Sequence, residues 1–383
     1  MRKIYADNAA TSFPKPKEVS RAMCDYIDKI GSNVGRGSYQ SSYEAGRVVY
    51  ETRELFCGIF NNHDPLEVVF TLNITESLNT LLKGLLTEGD HVIVSSMEHN
   101  AVMRPLNSDS LKGVQITKIY CNNEGYLNAE DVENNIKQNT KLVVMIHASN
   151  VCGTILPIED IGNICRKYNI DFIVDSAQTA GVLNIDMKKY NISALAFTGH
   201  KGLLGPQGTG GFIINNHMSL KTKPLKEGGT GSYSEFETHP NIMPDKFECG
   251  TLNVPGIYGL NASLKYLQTI GISNIKSHEQ MLSDRFLNKI LNIDSVRLSG
   301  TRNIEHRTAV FSLNFNKIDN SEAAFILDSQ YGIMTRVGLH CSPSAHKTLG
   351  TFPSGSVRFS FGYFNTEEEV DYIASSINEI GKL

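Results

Sequence analysis

Short apolar runs alternate with helix-like segments from about residue 64 to residue 214. Several runs are almost continuously apolar, which is typical of strands buried on both faces of a mostly parallel sheet. The predicted strands are 68–70, 91–95, 115–120, 142–147, 172–175, 194–198 and 210–214. Between them, Ile74, Leu78, Leu81, Leu82 and Leu85 share one helical face, and residues 158–168 give another helical pattern. The alternation predicts an α/β fold with a doubly wound sheet of seven strands.

The pattern changes after this region. Residues 228–255 are rich in Gly, Ser, Thr and Pro and weakly periodic, which predicts a long functional loop. Beyond the loop, predicted helices at 257–269, 274–291, 322–331 and 367–381 mix with predicted strands at 308–314 and 356–361. We therefore expect a large domain over residues 15–257 and a smaller α+β domain formed by residues 1–14 and 258–383.

Composition limits the class of protein. The 383 residues are 40% hydrophobic and 20% charged with a net charge of −4, so neither nucleic acid nor an anionic membrane surface is an expected partner. No signal-peptide core and no stretch of membrane-spanning length is visible. The seven cysteines are odd in number, scattered and free of Cys-x-x-Cys pairs, which is typical of a reducing compartment. We expect a cytoplasmic protein.

A lysine and an aspartate follow neighbouring predicted strands. Asp175 ends the apolar run 172–174, and Lys201 lies 26 positions later, just after the next strand. A lysine amine that forms a Schiff base and a carboxylate that keeps the ring nitrogen protonated are the groups that pyridoxal phosphate (PLP) needs. The alternative for Lys201 is an exposed lysine in a glycine-rich turn, because lysine is rarely buried.

Other predicted strands also end in polar groups, and ligands of open α/β sheets bind beyond the carboxyl ends of the strands. Thr75 opens a helix, where its hydroxyl and nearby N–H groups could hold a phosphate, although an N-cap role explains it too. His99 could stack on a ring or move protons, or be an ordinary loop histidine. Asn150 could bond a ring oxygen or a substrate carboxylate, or simply form a turn. Gln178 lies one short turn beyond Asp175.

Seven motifs together cover nearly the whole chain. They are residues 5–11 (YADNAAT), 147–153 (HASNVCG), 175–178 (DSAQ), 198–201 (TGHK), 247–251 (FECGT), 336–341 (RVGLHC) and 357–360 (VRFS). In their order and spacing the chain resembles the class-V aminotransferase-like family of PLP enzymes, and within it the cysteine desulfurases. The resemblance implies the aspartate-aminotransferase-like fold of PLP-dependent transferases. That fold has a large, mostly parallel seven-stranded sheet domain and a smaller C-terminal α+β domain, which here carries the cysteine loop.

The resemblance also implies roles for single residues. Lys201 would be the Schiff-base lysine and proton shuttle, Asp175 would pair with the ring nitrogen, and His99 would stack on the ring. The other implied cofactor-binding residues are Gln178, Asn150, Thr75, Thr198, His200 and Thr251. In the family the threonine matching Thr251 comes from the partner subunit, which implies a homodimer with shared sites. Arg358 would bind the substrate α-carboxylate, for which a bidentate guanidinium is suited, and Asn150 and Arg336 would also bind the substrate.

Cys341 distinguishes among the reactions of such enzymes, which transaminate, epimerise or cleave. A loop thiol between His340 and Ser342 could act as a nucleophile. In the desulfurase reaction this thiolate attacks the sulfur of L-cysteine, which leaves a persulfide on the enzyme and releases L-alanine. The sulfur would then pass to an acceptor protein, as in iron–sulfur cluster assembly. The alternatives for Cys341 are an inert apolar residue and a metal site shared with His340 and His346.

Two departures from the desulfurase pattern keep other activities open. Leu339 and His340 precede Cys341 where two adjacent histidines often stand, and residues 73–75 (NIT) stand where two successive threonines often occur. The alternatives are another class-V activity (an aminotransferase, a β-eliminating lyase or a selenocysteine lyase) and a non-catalytic binding protein with the same fold. The separation of Cys341 from Arg358 is closer to the short-loop subgroup. Members of that subgroup typically hand sulfur to a dedicated acceptor and can also take selenocysteine.

Overall fold

The computed structural model describes residues 3–35 and 37–382. Their strands are β1 (Ile4–Tyr5), β2 (Val68–Thr71), β3 (His91–Ser95), β4 (Gln115–Ile119), β5 (Thr140–Ile146), β6 (Asp171–Asp175), β7 (Ala194–Thr198), β8 (Gly210–Ile214), β9 (Val296–Ser299), β10 (Val310–Phe315), β11 (Ile333–Met334), β12 (Arg336–Gly338) and β13 (Ser356–Ser360). Their α-helices are α1 (Lys17–Asp25), α2 (Gln40–Phe60), α3 (Ile74–Leu85), α4 (Asn100–Leu106), α5 (Ala129–Asn134), α6 (Ile158–Lys167), α7 (Asn216–Lys221), α8 (Val254–Ile270), α9 (Ile272–Ile290), α10 (Asn320–Tyr331), α11 (Pro343–Thr348) and α12 (Glu367–Ile380).

The larger sheet has seven strands in the order β2-β8-β7-β6-β5-β3-β4. Strands β3 to β7 pair in parallel, whereas β8 runs antiparallel to both β7 and β2. Six strands therefore point the same way, and their carboxyl ends lie along one edge of the sheet. All seven predicted strands are present within two residues of their expected bounds, so the predicted α/β class with a mostly parallel sheet is confirmed.

Both faces of this sheet are buried. Along β6, Phe172 and Val174 pack into the core that also contains α2, α6 and α8, whereas Ile173 packs into the core beneath α3 and α4. A strand covered on both sides has no solvent-facing positions that select polar residues. This explains why the sequence shows continuous apolar runs here.

The apolar pattern does not indicate helices α1, α2 and α4. Helix α2 lacks a clear helical periodicity of apolar residues because several of its buried side chains are polar, among them Ser42, Thr52 and Arg53. Helix α4 is only seven residues long and contains Pro105. The stretch from 228 to 253, in contrast, contains neither helix nor strand, as its loop-like composition predicts.

A smaller antiparallel sheet forms in the order β12-β13-β10-β9, and β1 pairs in parallel with β11. Ile4 of the N-terminal strand packs with Phe286, Phe311 and Phe359 in the core of this region. Helix α8 crosses the predicted boundary at residue 258, and its buried residues belong to the core of the larger sheet. The division of the chain into two domains stays a prediction.

Three further findings concern membranes, metal ions and disulfides. No helix in the described ranges is long and apolar enough to cross a membrane. Among the same residues, no group of three or more His, Cys, Asp or Glu side chains is placed to hold a metal ion. All seven cysteines are free.

We predict that Phe56→Ala lowers the free energy of unfolding by about 3–5 kcal/mol, because Phe56 is fully buried and its ring lies 4.2 Å from that of Phe197. Since the chain has no Trp, unfolding in urea is best followed by circular dichroism. The control is Tyr120→Ala at a side chain that is 76% exposed, which should cost less than about 0.5 kcal/mol. Equal losses for the two variants would contradict this account of the core.

Candidate active site

The carboxyl edge of the seven-stranded sheet gathers most of the predicted site residues. Asp175 is the last residue of β6, and Thr198 is the last residue of β7, three positions before Lys201. Thr75 lies in the first turn of α3, which follows β2, and His99 caps α4, which follows β3. These strands run in one direction, so the side chains that follow them meet at one place.

Lys201 is partly buried in a turn after β7. Burial lowers the pKa of its amine from 10.5 to about 8, and the charge of Arg358 adds to the shift. The nearby carboxylate of Asp175 acts in the opposite direction. A lysine amine with a pKa of about 8 is half neutral at pH 8 and can serve as a nucleophile or a base.

Asp175 is only 2% exposed. One carboxylate oxygen accepts a hydrogen bond from the amide of Ala177 at 2.9 Å. Burial raises the pKa of this carboxyl, and the charge of Lys201 only partly offsets the shift. A buried carboxylate of this kind is stabilised by a cation placed against it, and a protonated pyridine nitrogen fits that requirement.

His99 is held by its own helix. Its Nδ1 accepts a hydrogen bond from the amide of Ala101 at 3.0 Å, so the proton of the neutral ring sits on Nε2. Burial, together with the charges of Lys201 and Arg104, lowers the pKa of His99 to about 4. The ring is therefore neutral at physiological pH and fixed in orientation.

Two buried polar atoms beside Lys201 have no hydrogen-bond partner in the described part of the chain. They are Oγ1 of Thr198 and Nδ1 of His200. The hydroxyl of Thr75 does not cap α3. The N-cap is Asn73, whose side chain accepts a hydrogen bond from the amide of Glu76 at 3.0 Å. The N-cap explanation for Thr75 is thus wrong. Buried polar atoms without partners, such as those of Thr198 and His200, fit a bound phosphate group.

Cys341 is exposed and lines a pocket with Thr75, His99 and Arg104. Its loop leaves β12 with positive φ angles at both His340 (49°) and Cys341 (58°). Residues other than glycine rarely adopt this left-handed conformation, so the loop must be held by its neighbours. The amide at the start of α4 supplies one contact, donating from Asn100 to the carbonyl of Cys341 at 2.8 Å.

Asn150 supplies the other contacts to the cysteine loop. Its Nδ2 donates to the carbonyl of His340 at 2.8 Å, and its Oδ1 accepts from the hydroxyl of Ser342 at the same distance. The side chain thereby binds the residues on both sides of Cys341. The sequence does not indicate this function, because the partners lie about 190 positions away.

Arg358 lies on β13 and is 3% exposed. Its Nη1 donates to the carbonyl of Asn150 at 3.0 Å, and its Nη2 donates to Oδ1 of Asp7 at 2.9 Å. Asp7 also binds Arg336, whose Nη2 lies 3.0 Å from Oδ2. Asp7 belongs to the motif at residues 5–11, but the sequence offers no sign that it contacts both arginines.

An inner cavity lies between Lys201 and α9. Gln178 lines it and donates from Nε2 to the carbonyl of Ala9 at 3.0 Å. The far wall carries Glu279, a buried side chain with no hydrogen-bond partner among the described residues. Burial raises the pKa of Glu279 to about 8. No sequence signal identifies this residue, since its helix reads as an ordinary amphipathic one.

A second buried glutamate, Glu98, joins the ends of two strands. Its Oε1 accepts from the hydroxyl of Ser95 at 2.5 Å and from the amide of Ile146 at 2.9 Å. Burial raises the pKa of Glu98 to about 8, so the carboxyl is largely protonated at neutral pH. These bonds fix the start of the segment that carries His99.

Thr251 is exposed and lines neither the inner cavity nor the pocket of Cys341. Its loop is anchored by a buried ion pair in which Arg53 binds both carboxylate oxygens of Glu248, at 3.0 and 2.7 Å. The amide of Phe70 donates to the same carboxylate at 2.6 Å. The loop of Thr251 is therefore firmly anchored, but Thr251 lies apart from the inner cavity and from the pocket of Cys341.

Comparisons with known proteins span nearly the whole chain. The family model described as Aminotransferase class-V matches residues 4–373. The chain is 33% identical over 382 residues to a probable cysteine desulfurase of Methanothermobacter thermautotrophicus, covering 98% of this chain and 94% of that protein. It is 34% identical over 385 residues to a probable cysteine desulfurase of Pyrococcus abyssi, covering 99% and 94%.

Solved structures agree with these sequence matches. The apo structure of a cysteine desulfurase from Thermococcus onnurineus NA1 superposes with a TM-score of 0.92 at 34% identity, covering 99% of this chain and 95% of that one. The cysteine desulfurase CsdA from Escherichia coli has a TM-score of 0.86 at 24% identity, covering 98% and 94%, and shows the fold alone. The fold predicted from the motifs is confirmed.

We predict that Glu279→Gln stabilises the protein at pH 8.5 and that the advantage shrinks as the pH falls. The carboxyl has a pKa of about 8 in the folded protein and 4.5 as its ordinary value, so the folded state holds the proton more tightly. The free energy of unfolding of the wild type therefore declines as the pH rises from 4.5 to 8. Each unit of difference between the folded and the ordinary pKa contributes at most about 1.4 kcal/mol to this decline. Urea unfolding between pH 5 and 8.5 measures this slope.

The matched control is Asp284→Asn, at an exposed acid on the same helix, which should leave the slope unchanged. A pH slope for Glu279→Gln equal to that of the wild type would contradict the buried, unpaired state of Glu279.

Proposed function

The chain belongs to the class-V aminotransferase family, and from that premise we propose that it is a PLP-dependent cysteine desulfurase. It converts L-cysteine to L-alanine and takes the sulfur onto Cys341 as a persulfide. One observation carries the proposal. An exposed thiol, Cys341, lines a pocket with His99 and Thr75 at the same sheet edge that holds Asp175 and Lys201.

The residues at the sheet edge fit the cofactor. Asp175 would face the ring nitrogen, His99 the ring plane, and Gln178 the ring oxygen, with Lys201 bound covalently. Thr198, His200 and Thr75 would hold the phosphate, which is supported by the unpaired Thr198 Oγ1 and His200 Nδ1. When bound, PLP supplies an electron sink for bond cleavage at the substrate carbons.

The amine of Lys201 would move the proton. Its pKa of about 8 leaves a substantial neutral fraction at physiological pH, so Nζ can take the proton from the substrate Cα and later return it. His99 stays neutral, with a pKa of about 4, and therefore does not add a positive charge next to this amine.

The thiolate of Cys341 would attack the substrate sulfur. An S–S bond forms as the bond between sulfur and the substrate Cβ breaks, and the electron pair stays on the carbon side. Protonation there gives the methyl group of alanine, and the persulfide remains on Cys341. The hydrogen bonds from Asn150 and Asn100 set where the loop presents this thiol.

The remaining proposals concern substrate contacts, assembly and location. Arg358 would bind the substrate α-carboxylate, with Arg336 and Asn150 beside it. A homodimer in which Thr251 reaches the site of the partner is supported by the separation of this exposed loop from the site of its own protomer. A sulfur-acceptor protein and a cytoplasmic location complete the proposal, the latter supported by seven free cysteines.

We predict that purified protein with L-cysteine and a reductant releases sulfide and alanine in equal amounts, and that Cys341→Ala lowers both by at least about 100-fold, since the nucleophile is lost. The control Cys24→Ala removes another exposed thiol and should leave the rate unchanged. Undiminished alanine from Cys341→Ala would refute the nucleophile. Pyruvate and ammonia in place of alanine would favour β-elimination, and keto-acid release matched by conversion of PLP to its amine form would favour transamination.

Lys201→Ala should abolish the visible absorption of the cofactor-bound lysine, at roughly 410–430 nm. The matched control is Lys17→Ala, at an exposed lysine of α1, which should keep the band. Absorption spectra of PLP-loaded samples test this. An unchanged spectrum for Lys201→Ala would show that another lysine binds the cofactor.

A further inference from the structure

Asp7 connects the two arginines of the small sheet. Its Oδ1 accepts from Nη2 of Arg358 at 2.9 Å, and its Oδ2 accepts from Nε of Arg336 at 3.1 Å. Nη2 of Arg336 lies 3.0 Å from the same Oδ2 in an ion pair. Asp7 and Arg358 are both buried, whereas the side chain of Arg336 is 52% exposed. Asp7 is the one acid in the described residues that forms an ion pair with Arg358.

One N–H of this buried guanidinium has no partner among the described residues. Nη1 of Arg358 is bound by the carbonyl of Asn150 and Nη2 by Asp7, but Nε has no partner within residues 3–35 and 37–382. A buried, unpaired guanidinium N–H is costly and points to a missing acceptor. Nε–H and the second N–H of Nη2 form a fork that matches a carboxylate.

The charges of Asp7, Arg336 and Arg358 also indicate that a carboxylate is missing beside Arg358. Two guanidinium groups and one carboxylate leave a net charge of +1, which one substrate α-carboxylate balances. Asp7 alone would repel an incoming carboxylate next to it. Arg336 offsets that repulsion because it neutralises Asp7 from the solvent side, while Asp7 keeps its hydrogen bond to Arg358.

Asp7 is rigidly placed for this task. It pairs with Ser360 in an isolated parallel bridge, two residues along β13 from Arg358. The amide of Ala9 donates to the hydroxyl of Ser360 at 2.8 Å, which fixes the N-terminal segment on the other side of Asp7. The carboxylate therefore has little freedom to follow a guanidinium that moves.

We propose that Asp7 is a positioning residue for recognition of the substrate α-carboxylate, and that Arg336 acts on the substrate through Asp7 and not by direct contact. Asp7 fixes Arg358 with its Nε–H unpaired, and Arg336 cancels the charge of Asp7. This inference rests on the proposed function in that the substrate is an α-amino acid.

The test is a double-mutant cycle with Asp7→Asn, Arg336→Gln and the double variant, using L-cysteine and cysteamine, which lacks the carboxylate. Each single variant should lower kcat/KM for L-cysteine about tenfold, mainly through KM, because one charge-assisted contact is lost. Turnover of cysteamine should change less than about twofold. In the Asp7→Asn background, Arg336→Gln should have almost no further effect.

Equal losses for the two substrates would overturn the proposal in favour of a purely structural ion pair. An undiminished effect of Arg336→Gln in the Asp7→Asn background would show that Arg336 contacts the substrate directly.

A binding measurement separates this inference from the proposed reaction. Calorimetric titration of the PLP-loaded protein with L-alanine should show about tenfold weaker binding for Arg336→Gln. The PLP content per protomer should stay the same. If L-alanine binding is about tenfold weaker in Arg336→Gln but wild-type protein does not desulfurate L-cysteine, the proposed function fails while the inference stands. If L-cysteine is desulfurated and L-alanine affinity does not change in Arg336→Gln, the inference fails alone.

Discussion

The common direction of six strands in the seven-stranded sheet is the constraint on which the site depends. Because those strands end along one edge, side chains separated by more than a hundred positions are delivered to a single place. Burial of both sheet faces fixes the strands, so the edge is a rigid platform. The low polarity of this buried edge shifts the pKa values of the ionisable side chains there. It lowers the pKa of Lys201 to about 8 and raises the pKa of Asp175.

The second set of reactive groups comes from the small sheet and has to be joined to the first. Asn150 makes that connection, since it follows β5 and its side chain binds the loop on both sides of Cys341. Its backbone carbonyl also accepts from Arg358. One residue at the edge of the large sheet thus sets the positions of both the thiol and the buried guanidinium. The N-terminal segment completes the arrangement by placing Asp7 against Arg358.

The sequence predicts the part of this arrangement that depends on local pattern. Apolar runs predict all seven strands, and the polar residue after each strand follows from the direction of the chain, as with Asp175 and Lys201. Helix α2 was not predictable, because its buried Arg53 pairs with Glu248, almost 200 positions away. The contacts of Asp7 and the isolation of Glu279 depend in the same way on tertiary packing. Polar groups that are satisfied across the fold leave no periodic signal in the sequence.

The central claim is that Cys341 takes sulfur from a substrate held at the Lys201 edge of the sheet. The most direct test is mass spectrometry of peptides after the PLP-loaded protein is mixed with one equivalent of L-cysteine, without reductant, and quenched by alkylation. The account predicts that the peptide containing Cys341 gains the mass of one sulfur atom, in proportion to the alanine formed. Extra sulfur on any other of the seven cysteines, or alanine formed with no sulfur on Cys341, would contradict it.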